Sequence, residues 1–317
     1  IALIIGSSLA YLVLLWPMKA ELGRFRGVRK SGISIDFSLL RRFMGYGFPV
    51  IGWVLGVKVL DLSDRFIIEL FRDSEEVGIY SASYTLVTMG VLFVATPLLS
   101  AALPLIVNTW EQGHHEKIQT LVSVFSRYYL LFAVPVVAFT IVFGREIVTV
   151  FLGEEFREGY KIIPFIILGS LVWNFSMYGH KGIKLLEKTR VMLFLVTICC
   201  AANIVLNLIF VPRYGYQGAA VTTLVSFGLY PVLVYFVTKR YLPWVIPWRS
   251  TFRIVFSVGL ASAGWWGLRW ALTGRVHVLL LLLISLAAGL IIYIGMLALT
   301  RELRDYEWRL IAMRRRS

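Results

Sequence analysis

Val191-Met-Leu-Phe-Leu-Val-Thr-Ile-Cys-Cys-Ala-Ala-Asn-Ile-Val-Leu-Asn-Leu-Ile-Phe-Val211 carries no charged side chain, closes on Pro212-Arg-Tyr-Gly215, and is followed by a second apolar run over 216–238. About 20 residues of helix cross the ~30 Å of hydrocarbon in a bilayer. The stretch therefore reads as two membrane-crossing helices joined by a tight turn. On either side, comparable apolar segments occupy 1–18, 43–60, 79–105, 121–143, 161–180, 251–271 and 277–299, which makes nine predicted spans. The predicted fold class is all-α and polytopic. With 58% hydrophobic and only 16% charged residues, an ordinary soluble domain is excluded.

Charge in the connections sets an orientation. Segments 19–42, 106–120, 181–190, 239–253 and 300–317 hold 22 of the 32 Lys and Arg residues, and the intervening loops hold seven. By the positive-inside rule the rich set faces the cytoplasm, and the C-terminus with it. The net charge of +14 is then explained by topology and an anionic inner leaflet, so nucleic acid is not an expected partner. Cys199 and Cys200 are neighbours on different faces of one apolar span, which excludes a disulfide between them and a zinc site. Opening inside a helix at Ile1, the chain reads as the C-terminal portion of something longer.

Pro49, Pro97, Pro104, Pro135 and Pro164 fall within predicted spans, where they mark either cavity-lining kinks or packing kinks. Trp244, Trp248, Trp265, Trp266 and Trp270 are expected at the membrane interfaces. Residues 300–317 place Leu303, Tyr306, Leu310 and Met313 on one helical face among arginines, as in a helix lying on the inner membrane surface, the competing reading being a solvated disordered tail.

The densest chemistry is Lys58-Val-Leu-Asp61-Leu-Ser-Asp64-Arg65. In a helix Lys58, Asp61 and Arg65 share a face and can neutralise one another. A charge at membrane depth costs ~2.5–3.5 kcal/mol even on permissive scales, so this face is expected to meet a wet cavity or the outer interface. Arg127 and Arg269 are further charges within or at the ends of spans. Asn203 and Asn207, four apart, form a polar stripe that either coordinates a cation or bonds a neighbouring helix. Gly215 and the small residues from Gly218 onward form an outside turn and helix start, and Val77-Gly78-Ile-Tyr80-Ser-Ala-Ser-Tyr84 opens another helix in a related way.

The run Asp61 to Tyr84, Phe151-Leu-Gly-Glu-Glu-Phe156, and Asn203 to Asn207 followed by Pro212-Arg-Tyr-Gly215 and Gly218-Ala-Ala carry a resemblance. Over roughly 40–240 the chain resembles the C-terminal lobe of the bacterial polysaccharide (O-antigen type) flippases. These belong to the exporter superfamily for multidrugs, oligosaccharidyl-lipids and polysaccharides, with the lipid II flippases.

The resemblance implies a plasma-membrane protein of two six-helix lobes that moves polyprenyl-diphosphate-linked oligosaccharide outward by alternating access. Residues 1–18 would end the first lobe, 19–42 would be a basic cytoplasmic inter-lobe loop, 43–238 the six-helix C-terminal lobe, and 239–317 an accessory helix pair with a basic cytoplasmic tail. The diphosphate needs cations at depth, and Lys58, Arg65 and Arg127 are the expected substrate-binding residues. The resemblance to lipid II flippases implies a cation site from Asp61, Asn203, Asn207 and Thr222 or Thr223, with Lys58 able to replace the metal by its ammonium. Coupling to Na+ or H+ is expected and no resident cofactor, since no nucleotide-type phosphate loop is present. Expected partners are the lipid-linked oligosaccharide, membrane lipids, and polysaccharide polymerase or glycosyltransferase machinery. Two rivals stay open. A multidrug exporter of the same superfamily would favour acidic and aromatic cavity residues. A membrane-embedded transferase would need carboxylates or a histidine base in a cavity, whereas His114, His115, His180 and His277 are scattered. No catalytic residues are expected.

Overall fold

The computed structural model describes residues 37–302. The chain divides into two units, 1–45 and 46–317. Of the first, the described part is the opening of helix α1 (Phe37–Phe71). Then follow α2 (Ser74–Glu111), α3 (His115–Val142), α4 (Gly144–Phe151), a 3-10 segment (Glu154–Lys161), α5 (Ile163–Leu185), α6 (Thr189–Thr238), α7 (Trp248–Leu272) and α8 (Val278–Leu299). The predicted span 1–18 and the surface helix over 303–317 lie outside the described residues.

Among the described residues, five helices are long and apolar enough to cross a membrane, and a sixth candidate combines the 3-10 segment with α5 across a 64° bend. α6 is long enough for two crossings. Its 50 residues would extend ~75 Å if straight. At Gly215 the backbone takes φ 57° and ψ −144°, a region open essentially to glycine alone, and the two arms turn back on each other. The predicted turn after Val211 is this break.

α1 runs on through Phe71 and α2 starts at Ser74, capped by the Asp73 side chain, which accepts from the Glu76 amide at 2.8 Å. Asp61, Asp64 and Arg65 therefore sit inside a helix, as the helical face shared by Lys58, Asp61 and Arg65 required, and that helix runs 11 residues past the predicted end of its span at residue 60, to Phe71. The connection 144–160, between the predicted spans 121–143 and 161–180, is likewise largely helical. The explanation is the same in both places. Once the bilayer has fixed the number of helices, turns of helix continue into the interface because their backbone bonds are satisfied internally. Pro164 sits in the first turn of α5, where no amide proton is needed, directly after the 64° bend that separates α5 from the 3-10 segment.

Lipid offers no hydrophobic drive between helices, so contact depends on small residues and polar bonds. Gly52 and Gly56 bring α1 onto the first arm of α6, where a β-carbon at Gly56 would stand 2.9 Å from Val196. Cys200 Sγ reaches the Gly56 carbonyl at 3.2 Å. Both cysteines are free thiols. Between Gly52 and Gly56, Trp53 Nε1 donates to Tyr230 Oη at 2.9 Å, and Tyr230 bonds His180 Nδ1 at 2.8 Å, tying α1, α5 and the second arm of α6.

α7 and α8 pair through Trp265, whose Nε1 donates to the Ser285 carbonyl at 2.8 Å. They attach to the rest through Tyr293, donating to the Leu131 carbonyl at 2.8 Å, and through Arg269, which meets Glu146 at 2.7 Å. Two of the expected interfacial tryptophans are thus buried. Trp265 packs in the α7–α8 seam, and Trp244 lies against Gly179 with Nε1 on Ser126 Oγ at 3.2 Å. Trp248, Trp266 and Trp270 are exposed.

Candidate functional site

Asp64 is the centre of the buried polar chemistry. Its side chain is 1% exposed, and α1, α2 and both arms of α6 converge on it. Oδ2 accepts from Tyr80 Oη at 2.5 Å and from Thr223 Oγ1 at 2.5 Å; Oδ1 accepts from Asn207 Nδ2 at 2.6 Å. Asn207 Nδ2 also donates to Asn203 Oδ1 at 3.2 Å, which receives Ser63 Oγ at 2.8 Å. Thr222 Oγ1 donates to Asn207 Oδ1. Among the described residues no Lys, Arg or His comes within ion-pair distance of Asp64, and no three His, Cys, Asp or Glu side chains converge to hold a metal ion. The buried Asn203 Nδ2 has no partner there.

A carboxylate without a countercharge at this depth would be costly, and three neutral donors lessen that cost at ~1.5–3 kcal/mol for each hydrogen bond to a charge. What remains is one negative charge in a cluster that also holds the carboxamide oxygens of Asn203 and Asn207, each already accepting a hydrogen bond, the hydroxyls of Thr222 and Thr223, and the Ala219 carbonyl, on which both threonines also lie at 2.9 Å. Oxygens with a single formal charge suit a monovalent cation or a proton.

The second feature is a cleft of about 340 Å³ beside this cluster, between α1, α2, α5 and the second arm of α6. Asp61, Arg65, Tyr84, Thr85, Thr88, Ser170 and Asn174 give it polar atoms; Leu60, Met89, Leu92, Trp173 and Phe227 give it apolar surface. Arg65 is fixed on its rim: Nε donates to Ser81 Oγ at 3.0 Å, Nη1 to the Asp61 carbonyl at 2.8 Å, and the guanidinium lies 5.2 Å over the Tyr84 ring. Tyr84 Oη donates to Asp61 Oδ1 at 2.7 Å.

The structure brings Asn203, Asn207, Thr222 and Thr223 together as one cluster, and the carboxylate among them is Asp64. Asp61, named for that role from the sequence, faces the cleft with Arg65 and is 37% exposed. Lys58 reaches Asp61 Oδ2 at 3.9 Å, and with its side chain 66% exposed this is a loose pair worth little. Arg127 lies elsewhere, buried near the middle of α3, with Nε on Glu302 Oε1 at 2.6 Å; Arg253 approaches the other Glu302 oxygen at 3.4 Å. The charge of Arg127 is spent on joining α3 to the end of the α7–α8 pair. Tyr80, Tyr84 and Ser63 were not named as site residues. The i,i+4 spacing of the two tyrosines was the available signal, since it puts them on one face of α2.

These helices and this buried cluster define a multi-pass, all-helical membrane protein. Its fold is that of the lipid II flippase MurJ in an inward closed conformation, with TM-score 0.70 and 16% identity, covering 88% of this chain and 59% of that one. A MOP superfamily transporter from Pyrococcus furiosus, described as having a binding pocket of reversed polarity, superposes with TM-score 0.51 at 14% identity, covering 84% of this chain and 66% of that one. The sequence profile of the family described as "Polysaccharide biosynthesis protein" matches residues 2–161, and the chain belongs to that family. It is 22% identical over 210 residues to the probable low-salt glycan biosynthesis flippase Agl15 of Haloferax volcanii, covering 65% of this chain and 44% of that protein. It is 20% identical over 199 residues to the uncharacterized membrane protein MJ1068 of Methanocaldococcus jannaschii, covering 62% and 39%. The chain spans less than half the length of these two curated relatives.

Proposed function

We propose that the protein translocates a polyprenyl-diphosphate-linked oligosaccharide across its membrane for glycan assembly, by alternating access coupled to a monovalent cation or a proton bound at Asp64. The reading is supported most by one juxtaposition. A buried carboxylate with an oxygen-rich shell stands one turn of α1 from a cleft whose rim holds a fixed guanidinium. The first can hold the coupling ion, and the second meets an anionic headgroup through charge-assisted bonds. Asn203, Asn207, Thr222 and Thr223 supply neutral oxygens to that ion, with Asp64 taking the part expected of Asp61. Family membership and the Agl15 similarity favour a glycan-linked lipid as the cargo. The Lys and Arg asymmetry favours a cytoplasmic C-terminus and membrane placement with the Gly215 turn outward.

Arg65 on the cleft favours an anionic cargo over the cationic compounds typical of multidrug export. The protein acts as a transporter and carries no catalytic residues in this reading. Polymerase or glycosyltransferase machinery would supply and consume the cargo.

The test is export of surface glycan by cells dependent on the full-length protein. Arg65→Ala is expected to reduce export by at least ~10-fold at unchanged protein level, Arg65→Lys to retain more, and Arg127→Lys to affect protein level and export together. Normal export with Arg65→Ala would overturn the assignment.

A further inference from the structure

Tyr80 and Tyr84 join the two halves of this site. They sit four residues apart on α2 with rings stacked at 5.7 Å, and both phenols donate to carboxylates that sit three residues apart on α1. The result is a two-rung ladder. Its buried rung, Tyr80 to Asp64, belongs to the cluster shared with Asn207 and Thr223; its other rung, Tyr84 to Asp61, belongs to the cleft. The Tyr84 ring also carries the Arg65 guanidinium.

We propose that this tyrosine pair is the coupling element of the transporter, through which occupancy of the Asp64 cluster and occupancy of the cleft change each other's affinity. The proposal rests on the reading of the two sites above and adds the residues that connect them.

The physical argument is a competition at each rung. A cation on Asp64 takes the oxygen that Tyr80 now holds, and the Tyr80 hydroxyl is left with Thr223 Oγ1, 3.3 Å away. Tyr80 is fully buried and Tyr84 is 7% exposed, so neither ring can swing into solvent. A shift of Tyr80 presses on its stacked partner one turn along and alters the Tyr84 bond to Asp61. At the cleft, an anion on Arg65 draws the guanidinium from the Tyr84 ring and the Asp61 carbonyl, and the same stack transmits the change inward. Each ligand thus makes different contacts in the two arrangements, which is what coupling requires.

The two ligands must then couple reciprocally. Binding of geranyl diphosphate, a short prenyl diphosphate, is measured on the full-length protein in lipid nanodiscs with sodium absent and saturating. Choline holds ionic strength constant, because screening alone would shift a diphosphate affinity. The readout is the ratio of the two dissociation constants, and the same ratio is taken between acidic and alkaline buffer to read a proton in place of sodium. Wild type is expected to give a ratio at least ~5-fold from unity in one of the two comparisons. Tyr80→Phe and Tyr84→Phe keep the stacked rings and remove one rung each, and each is expected to bring the ratio close to unity whatever it does to the absolute affinities. A merely structural role would weaken binding and leave the ratio intact. Variants that keep the wild-type ratio overturn the coupling role while leaving the site assignment standing. A wild-type ratio of unity with both ligands binding does the same. Failure of wild type to bind geranyl diphosphate, or to bind either sodium or a proton, overturns both.

Discussion

Thr222 and Asn207 lie on opposite arms of α6, 15 residues apart in sequence, and the hydroxyl of Thr222 donates to the carboxamide oxygen of Asn207. That bond exists because the chain reverses at Gly215. There the Glu76 carboxylate accepts from the Tyr216 amide at 2.8 Å, while Arg72 Nε lies 3.4 Å from the Val211 carbonyl. An acid at the start of the second arm and a base at the end of the first complement both helix dipoles. The α1–α2 turn therefore fixes the register at which Thr222 and Thr223, two turns on, meet Asp64.

Gly215→Ala is expected to destabilise the protein by ~1–3 kcal/mol from backbone strain alone. Crowding adds to this, since a β-carbon there would collide with the Glu76 carboxylate. Gly228→Ala, in the second arm with open space around it, serves as the control. Thermal unfolding in detergent should show a lower midpoint for the first and little change for the second. Equal midpoints would show that the reversal does not depend on glycine.

Glu302 joins two arginines, and its own side chain is 2% exposed. Glu302→Ala is expected to cost ~3–5 kcal/mol, because it takes a buried carboxylate from two guanidiniums. Combining it with Arg127→Leu should recover part of that loss. A double-mutant cycle on the unfolding midpoint measures this, and strictly additive losses would refute the pairing.

Accessible cysteines test the orientation in a background without Cys199 and Cys200. Positions Ser74 and Thr273 are exposed and should react with an impermeant thiol reagent in intact cells, and Glu187 should not. Thr189 is buried and would stay silent on either side, so Glu187 is the informative position in that turn. The reverse pattern would invert the topology.

Radiolabelled sodium separates the two acids of α1. If sodium is the coupling ion, Asp64→Asn should weaken saturable binding by roughly 10- to 100-fold, the loss of one charge-assisted ligand, while Asp61→Asn binds near normally. Strong binding by Asp64→Asn with loss in Asp61→Asn would return the site to Asp61.

The helices were legible because a bilayer imposes one length on every apolar run, and Pro212 to Gly215 marked the reversal. The stripe of Asn203 and Asn207 was legible from its spacing. The choice between Asp61 and Asp64 was not. Three residues place their side chains about 60° apart around a helix, and which one faces inward depends on a rotation of α1 set by Gly52 and Gly56 against the first arm of α6. Arg127 illustrates a different limit. A lone arginine in a span reads as a binding group until its partner is known, and Glu302 lies 175 residues away.

The central claim is that ion movement at Asp64 drives translocation of a lipid-linked glycan. It is tested most directly in proteoliposomes of the full-length protein, loaded with fluorescent polyprenyl-diphosphate oligosaccharide whose outer-leaflet fraction is read by an impermeant quencher. The account predicts net translocation under an imposed sodium or proton gradient, its loss when the gradient is collapsed, and its loss in Asp64→Asn. Translocation that continues at the same rate without either gradient, or undiminished in Asp64→Asn, would contradict it.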